Sequence, residues 1–284
     1  MKNRLGVCSW SLQPASPEEL VERIRTLGLD GVQLALDPLR TGEWSTQRTT
    51  LLLQEAGIGV RSGMMGTLGE DYSTLASIKR TGGVVPDEHW EANLAAAGAN
   101  ARLAEQLKLD LVSLHAGFLP EEPGEQRDTL IERLRAVAGC FAEHGIRTAF
   151  ETGQEHATTL LEFLAELDHP KVGVNFDPAN MILYDKGDPI EALEALAPYV
   201  FQIHIKDARR THTPGTWGSE ETVGTGEVDW RAFFSVLRRI GLDCDLMIER
   251  EAGTDRSGDI ATARRLVEEH ARPGSEFRKR GSEA

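Results

Sequence analysis

Four apolar segments in the second half of this chain each carry, at or near the C-terminal end, a side chain that can bind a metal ion. The segments span residues 147–151, 172–177, 200–205 and 246–249. The side chains are Glu151, Asp177, His204 and Glu249. Short apolar runs of this kind are typical of strands buried on both faces of a parallel sheet. Because the C-terminal ends of such strands converge on one mouth in a closed barrel, the pattern predicts a barrel with four potential ligands at that mouth.

Short apolar runs and amphipathic helical segments alternate along nearly the whole chain, starting at Leu5. Eight strand–helix units can be counted in this way. Such alternation gives either a doubly wound sheet or a (β/α)8 barrel. The Gly-rich turn that a dinucleotide-binding sheet needs after its first strand is missing. We therefore predict an α/β fold, a single (β/α)8 TIM barrel over residues 1–271, followed by a polar C-terminal tail over residues 272–284 that frays.

Several helix starts are marked by capping residues. Ser16 and Glu19 form a capping-box pattern at the start of the first helix. Asp188 precedes Pro189, which is a favourable pair for an N-cap and a first helical position, and Asp229 begins another helical segment. These signals fix helix boundaries and so support the alternating pattern.

The connection over residues 66–88 is unusually long, irregular and rich in glycine. Most connections in folds of this kind are short, and long ones often carry function. We predict that this segment is a lid or a wall of the active site.

The charge balance limits the classes of partner. The 284 residues include 31 Lys and Arg against 45 Asp and Glu, which gives a net charge of −14. An acidic surface repels phosphate backbones and anionic lipid. No apolar run approaches the length needed to span a membrane. We therefore expect neither a nucleic acid nor a membrane as partner.

The cysteines and the N-terminus indicate the compartment. Cys8, Cys140 and Cys244 are odd in number and widely spaced, which is not the pattern of a disulfide framework or a zinc knuckle. Buried reduced thiols fit a reducing compartment. The apolar stretch at the N-terminus is too short for the core of a signal peptide. We expect a cytoplasmic protein.

The four candidate ligands also have a chemical rationale as a group. Any one polar residue at a strand end has an ordinary explanation, because strands end near water. Three carboxylates at one barrel mouth, however, repel one another unless a cation neutralises them, and a histidine inside an apolar strand is costly to leave unpaired. Three oxygen ligands and one nitrogen ligand suit Mn²⁺, Mg²⁺, Co²⁺ or Zn²⁺.

The motifs around these residues resemble those of the xylose-isomerase-like superfamily of TIM barrels, which includes ketose 3-epimerases, hydroxypyruvate isomerase, inosose dehydratase and apurinic-site endonucleases. The motifs span residues 150–155, 175–180, 203–207, 224–230 and 248–251. The resemblance covers nearly the whole chain. It implies that Glu151, Asp177, His204 and Glu249 are the ligands of a divalent metal ion.

One position departs from that family pattern. Many members carry Asp-x-x-His after strand six, whereas this chain has Asp177 followed by Asn180. An asparagine can hydrogen-bond a hydroxyl group but cannot carry a proton near neutral pH. It also removes a ligand that the multi-zinc endonucleases need. Together with the acidic charge, this departure argues against DNA repair.

The ligand set implies proton abstraction next to a metal-bound carbonyl, through an enediolate. Glu151 and Glu249 are the candidates for base and acid. Epimerisation, ketose–aldose isomerisation and elimination share this first step, so the ligands alone do not choose among them. We predict a metal-dependent sugar isomerase or epimerase. The alternatives are a lyase or dehydratase acting on a keto-sugar or keto-inositol, and a non-catalytic sugar-binding barrel.

Further residues near the strand ends are candidates for contact with a small-molecule carbohydrate substrate. They are His115, Glu155, Asn180, Lys206, Arg210, Trp10 and Met64. All but Asn180 also have an ordinary explanation: a buried structural role for His115, a solvated loop charge for Glu155, a surface charge run for Lys206 and Arg210, and core packing for Trp10 and Met64. No interface is readable in the sequence, which leaves self-association into a homo-oligomer open.

Overall fold

Eight parallel strands close into a barrel in this computed structural model, which describes residues 4–213 and 215–271. The barrel strands are β1 (Leu5–Cys8), β2 (Gly31–Ala35), β3 (Gly59–Met64), β4 (Leu111–Leu114), β5 (Arg147–Glu151), β6 (Val172–Phe176), β7 (Val200–Ile205) and β10 (Asp245–Ile248). Neighbours pair in sequence order, and β10 pairs with β1 to close the ring. The prediction of a (β/α)8 TIM barrel is confirmed. The tail predicted for residues 272–284 lies outside the described residues.

Helices surround the barrel and follow its strands. They are α1 (Pro17–Thr26), α2 (Asp37–Arg40), α3 (Thr46–Glu55), α4 (Leu75–Thr81), α5 (Asp87–Gln106), α6 (Glu125–Ala142), α7 (Ala157–Leu167), α8 (Pro178–Leu183), α9 (Pro189–Leu196), α10 (Trp230–Ile240) and α11 (Arg256–Ala271). Their apolar faces pack with the outer faces of the strands into one hydrophobic core. Within the described ranges, no helix combines the length and apolar character needed to cross a membrane.

The helix starts follow the capping signals in the sequence. Ser16 accepts a hydrogen bond from the Glu19 backbone N–H at 3.2 Å, and Asp188 and Asp229 cap α9 and α10 in the same way. Each cap satisfies backbone donors that the first turn of a helix leaves free, which is worth about 1 kcal/mol.

Two connections contain more structure than the sequence pattern indicated. Residues 66–88 include the short helix α4. The connection after β7 forms a two-stranded antiparallel hairpin, from β8 (Asp207–Arg209) and β9 (Ser219–Glu221). The buried carboxylate of Asp207 fixes the next turn, because it accepts hydrogen bonds from the backbone N–H groups of Gly224, Gly226 and Val228. Both connections rise over the C-terminal mouth of the barrel, where they border a cavity.

Candidate functional site

The four candidate ligands lie together at the C-terminal mouth of the barrel, each held by its own strand. Glu151 is the last residue of β5, and His204 lies within β7. Asp177 and Glu249 directly follow β6 and β10. One potential ligand atom from each side chain lies within 4.8 Å of the other three. The side chains are only 0 to 3 % exposed. We call these four residues the ligand floor.

Three residues of the floor keep a buried polar atom without a hydrogen-bond partner in the described part of the chain. These atoms are Glu151 Oε2, Asp177 Oδ2 and His204 Nδ1. The other carboxylate oxygens are anchored: Asp177 Oδ1 accepts from the backbone N–H groups of Ala179 and Asn180, and Glu151 Oε1 accepts from Asn180 Nδ2 at 2.9 Å. Buried polar atoms are seldom left unpaired. Three of them in one cluster indicate a site for an ion or a ligand.

The imidazole of His204 is oriented by residues inside the barrel. Its Nε2 lies 2.8 Å from Gln33 Oε1 and 2.8 Å from the Asn175 amide. A proton on Nε2 satisfies Gln33 Oε1, which can only accept, and then the Asn175 amide must turn its oxygen, which otherwise has no partner, toward Nε2 in place of Nδ2. The opposite nitrogen, Nδ1, lies 3.2 Å from Glu249 Oε2 and 3.6 Å from Glu151 Oε1. A nitrogen lone pair facing two carboxylates needs a cation or a proton between them.

The pKa values of two floor carboxylates, Asp177 and Glu249, are shifted in opposite directions. Burial raises the pKa of Asp177 to about 6, although the Lys206 ammonium 3.8 Å away opposes this shift. For Glu249, burial also favours the neutral acid, but the charges of Lys206 and His204 outweigh it and hold the pKa at about 2. Positive charge therefore lies closer to Glu249, 2.9 Å from the Lys206 ammonium, than to Asp177, 3.8 Å from it.

The Lys206 side chain is buried next to the ligand floor and does not lie on the protein surface. Its side chain is 4 % exposed. The ammonium donates to Glu249 Oε2 at 2.9 Å, to Glu251 Oε2 at 3.0 Å and to Asn180 Oδ1 at 3.3 Å. A buried lysine with these partners stays charged and fixes the position of Glu249. It also borders the cavity, where sequence analysis had placed it.

A cavity of about 730 Å³ opens above the floor. Several residues proposed from sequence line it, namely Trp10, Met64, His115, Glu151, Asn180 and Lys206. The Trp10 indole N–H also donates to Glu249 Oε1 at 2.7 Å. The structure therefore brings most of the predicted residues to one place.

His115 connects the floor with the long connection after β3. Its Nε2 lies 3.5 Å from Glu151 Oε2, and its Nδ1 lies 2.9 Å from the Tyr72 hydroxyl and 3.5 Å from Glu70 Oε2. Residues 66–88 thus supply two side chains that border the cavity, Glu70 and Tyr72. This is the wall expected of that connection.

Glu155 and Arg210, which the sequence analysis named as candidate substrate contacts, are not among the residues that line the cavity. The chain turns at Gly153, whose φ is 134°, and Glu155 ends in the protein interior, 7 % exposed. Burial raises the pKa of Glu155 to about 8. Arg210 follows the hairpin strand β8 and pairs with Asp185 and Glu227, at 3.1 Å in both cases, on the protein surface. The hairpin carries this side chain away from the mouth.

Sequence reasoning missed the residues that surround the floor. Gln33 and Asn175, which contact His204, are polar side chains inside apolar strands, the same signal that had singled out His204. Tyr72, Tyr184 and Trp217 border the outer cavity from connections between strands and helices. No periodicity marks residues in such connections, so only the folded chain reveals them.

Comparison with known proteins places this geometry among related barrels. A family model described as "Xylose isomerase-like TIM barrel" matches residues 21–271. A xylose isomerase domain protein from Planctomyces limnophilus, whose crystal structure is known, is 35 % identical with a TM-score of 0.83, over 88 % of this chain and 91 % of that chain.

Two characterised relatives are more distant. The 3-dehydroshikimate dehydratase of Bacillus anthracis is 24 % identical over 217 residues, which cover 73 % of this chain and 72 % of that protein. A ketose 3-epimerase of Arthrobacter globiformis is 27 % identical over 132 residues, which cover 44 % of this chain and 42 % of that protein. The relatives thus include both an epimerase and a dehydratase.

Proposed function

Since this chain belongs to the xylose isomerase-like TIM barrel family, we propose that it is a divalent-metal-dependent isomerase or epimerase of carbonyl sugars. Glu151, Asp177, His204 and Glu249 hold the metal ion in this proposal. The observation that carries it is the convergence of four buried ligand atoms within 4.8 Å, on side chains of which three keep an unpaired polar atom.

The donor set fits a divalent ion. Three carboxylates and one imidazole suit Mn²⁺, Mg²⁺, Co²⁺ or Zn²⁺. When His204 Nε2 donates its proton to Gln33, the lone pair of Nδ1 points toward the carboxylates. This is the arrangement of a metal-ligating histidine. When bound, such an ion would polarise a substrate carbonyl and acidify the neighbouring C–H bond.

Glu151 and Glu249 are the proposed proton carriers. Their strands, β5 and β10, are separated in the barrel by β6 and β7, so the two carboxylates approach the floor from different directions. Lys206 and Trp10 hold Glu249 in place through hydrogen bonds and keep it ionised. Two bases that act on opposite faces of one carbon give epimerisation. One base that returns the proton to the adjacent carbon gives isomerisation.

His115, Asn180 and Lys206 are proposed to bind substrate oxygens, because each carries a polar group and borders the cavity. Asn180 bridges Glu151 and Lys206, at 2.9 and 3.3 Å. A substrate hydroxyl that contacts this amide therefore lies close to both the base and the ammonium group. This contact orients the sugar for proton transfer.

The charge of the cavity favours a neutral substrate. Its acidic lining residues above the floor are Asp37, Glu70, Glu220 and Glu251, and Lys206 is the lysine among the lining residues. The Lys206 ammonium is already paired with Glu249 and Glu251. Away from the proposed metal ion and His115, a phosphate or carboxylate group on the substrate meets these carboxylates and finds no unpaired cation among the described lining residues. A free ketose or keto-glycoside is the better fit.

Dehydration of a keto-sugar is the second candidate, because it shares the first proton abstraction and because a dehydratase is among the relatives. The dehydroshikimate named for that relative is an anion, which the acidic lining of this cavity disfavours. We therefore rank a neutral keto-sugar or keto-inositol above a carboxylate as the substrate of such a lyase.

To test the proposal, the metal-loaded protein is incubated with a panel of neutral ketoses in D₂O. The sugar protons next to the carbonyl are followed by NMR. The proposal predicts their exchange for deuterium together with a second sugar of unchanged composition. A new ultraviolet absorbance from a conjugated enone instead identifies the lyase. Absence of exchange and of elimination across the panel contradicts both reactions.

A further inference from the structure

We propose that the outer half of the cavity is a binding subsite for a second sugar ring, so that the substrate is a neutral glycoside of disaccharide size. The reacting sugar occupies the ligand floor, and the second ring rests on Tyr72, Tyr184 and Trp217, which we call the aromatic wall. This inference rests on the proposed function for the reacting end of the substrate. The subsite itself is argued from the wall and the cavity.

The aromatic wall is assembled from three separate connections. Tyr72 comes from the segment between β3 and α4, Tyr184 follows α8, and Trp217 lies between the hairpin strands β8 and β9. Trp217 stands in the middle, with its ring centroid 6.4 Å from that of Tyr72 and 6.4 Å from that of Tyr184. The ring planes are inclined by 44° and 78°. The three rings therefore face in different directions.

The wall faces open space. Tyr72 is 41 % exposed, which is unusual for a large side chain. Tyr184 and Trp217 are half-buried, and all three residues line the cavity. The Trp217 indole nitrogen is buried, so the part of this side chain that borders the cavity is its ring carbon atoms.

The cavity is too large for one sugar ring. Its volume of about 730 Å³ lies in the range, roughly 300–1,000 Å³, typical of pockets that enclose drug-sized molecules. A monosaccharide bound at the ligand floor and His115 lies beside Tyr72, whose hydroxyl is 2.9 Å from His115, and leaves the space beside Tyr184 and Trp217 to water. A second ring attached to the first fills that space.

The chemistry of the outer cavity suits a sugar ring. The π faces of the wall are electron-rich and attract the C–H bonds on one face of a pyranose. Polar side chains border the same space, namely Glu70, Gln154 and Glu220, and can accept or donate hydrogen bonds to ring hydroxyls. Aromatic faces beside carboxylates and an amide match a ring that is apolar on its faces and polar at its edge. They do not match a hydrocarbon or an anion.

The test measures binding by titration calorimetry, with glucose, cellobiose, maltose, sucrose and trehalose as probes. At least one disaccharide is expected to bind about tenfold more tightly than glucose, the gain typical of one good aromatic contact. In Trp217→Ala that ratio of affinities falls to near one. Trp217→Phe keeps the ring and retains most of the ratio. Circular dichroism melting of each variant verifies that it is folded.

Trp90→Ala is the matched control. The Trp90 ring contacts Arg133 and is not among the residues that line the cavity, so the ratio is expected to stay at its wild-type value. The proposal is overturned if no disaccharide binds more tightly than glucose, or if Trp217→Ala and Trp90→Ala change the ratio equally.

The two proposals fail in different ways. Calorimetry needs no turnover, so a disaccharide preference that depends on Trp217 supports the subsite even if no proton exchange is ever seen. Conversely, exchange with monosaccharides and an affinity ratio of one leave the proposed reaction intact and remove the second-ring subsite.

Discussion

The ligand floor and the aromatic wall border the same cavity but are built in opposite ways. The floor is charged and almost fully buried, and its four side chains come from strand ends or the residues directly after them. The wall is aromatic and partly exposed, and its three side chains come from the connections. The difference indicates a division of roles: groups that need fixed geometry are placed on the barrel, and groups that recognise size are placed on its loops.

Hydrogen bonds from the backbone fix the floor residues to neighbouring strands. The Glu249 N–H donates to Ile205 O at 3.2 Å, which ties the end of β10 to β7. The Asp177 N–H donates to the Thr152 hydroxyl at 2.8 Å, which ties the residue after β6 to the residue after β5. Each candidate ligand therefore lies on or next to a strand that is fixed to its neighbour.

The largest expected effect comes from neutralising the proposed proton carriers. Glu151→Gln and Glu249→Gln each keep the shape of the side chain but remove its capacity to take a proton. We expect a loss of proton-exchange activity of roughly 10²–10⁴-fold in each case, the usual contribution of a general base. Exchange of the proton next to the carbonyl, followed by NMR, measures this loss.

Glu162→Gln, on the exposed side of α7, is the control and should exchange at the wild-type rate. If a folded Glu151→Gln or Glu249→Gln variant exchanges the substrate proton at the wild-type rate, that residue does not carry the proton. The division of roles between the ligand floor and the aromatic wall is then wrong.

A smaller effect should come from Glu155, a buried carboxylate that lies outside the floor. Its pKa is raised from 4.5 to about 8, mainly by burial. Below pH 4.5 the folded and unfolded states both carry the proton. Above it the unfolded state loses the proton first, so the folded state is progressively destabilised up to about pH 8, by roughly 5 kcal/mol.

Glu155→Gln removes this penalty because the amide stays neutral. The variant should unfold at the wild-type temperature at pH 4 and at a higher temperature at pH 8, as measured by calorimetry. Glu162→Gln should show no such pH-dependent gain. A variant less stable than wild type at pH 8 would mean that the Glu155 carboxylate is compensated by a partner, as the floor carboxylates are.

The fold was predictable because hydrophobic alternation and helix caps are local signals that recur along the whole chain. The floor was also predictable: a carboxylate or imidazole inside or after an apolar strand is conspicuous, and strand ends converge in a barrel. The roles of these residues stay a proposal. Lys206 was grouped correctly with the cavity, yet its burial was not foreseen, since the run Lys206–Arg210 looks like surface charge.

The positions of the aromatic wall, of Glu155 and of Arg210 depend on loop conformation, which sequence patterns do not encode. The turn at Gly153 takes Glu155 into the interior, and the hairpin after β7 takes Arg210 to the surface while it brings Trp217 over the cavity. Gln33 was not predicted for another reason. Its role depends on a contact with His204, which lies 171 positions away along the chain.

The smallest expected effect concerns the support beneath the floor. Gln33→Leu removes the acceptor that fixes the His204 ring and its tautomer, and we expect a 10–100-fold weaker affinity for Mn²⁺. Gln202→Leu is the matched control, because Gln202 is equally buried but bonds to Ser62. Calorimetric titration with Mn²⁺ compares the two variants. Equal affinities in both would show that Gln33 does not position His204.

The central claim is that the ligand floor holds one divalent metal ion. Elemental analysis of the purified, untagged protein and of its Asp177→Ala and His204→Ala variants tests it most directly. We predict about one Mn, Mg, Co or Zn per wild-type chain, and loss of that metal in both variants. A wild-type protein that holds no metal even after reloading, or variants that retain a full equivalent, would contradict the claim and with it the proposed reaction.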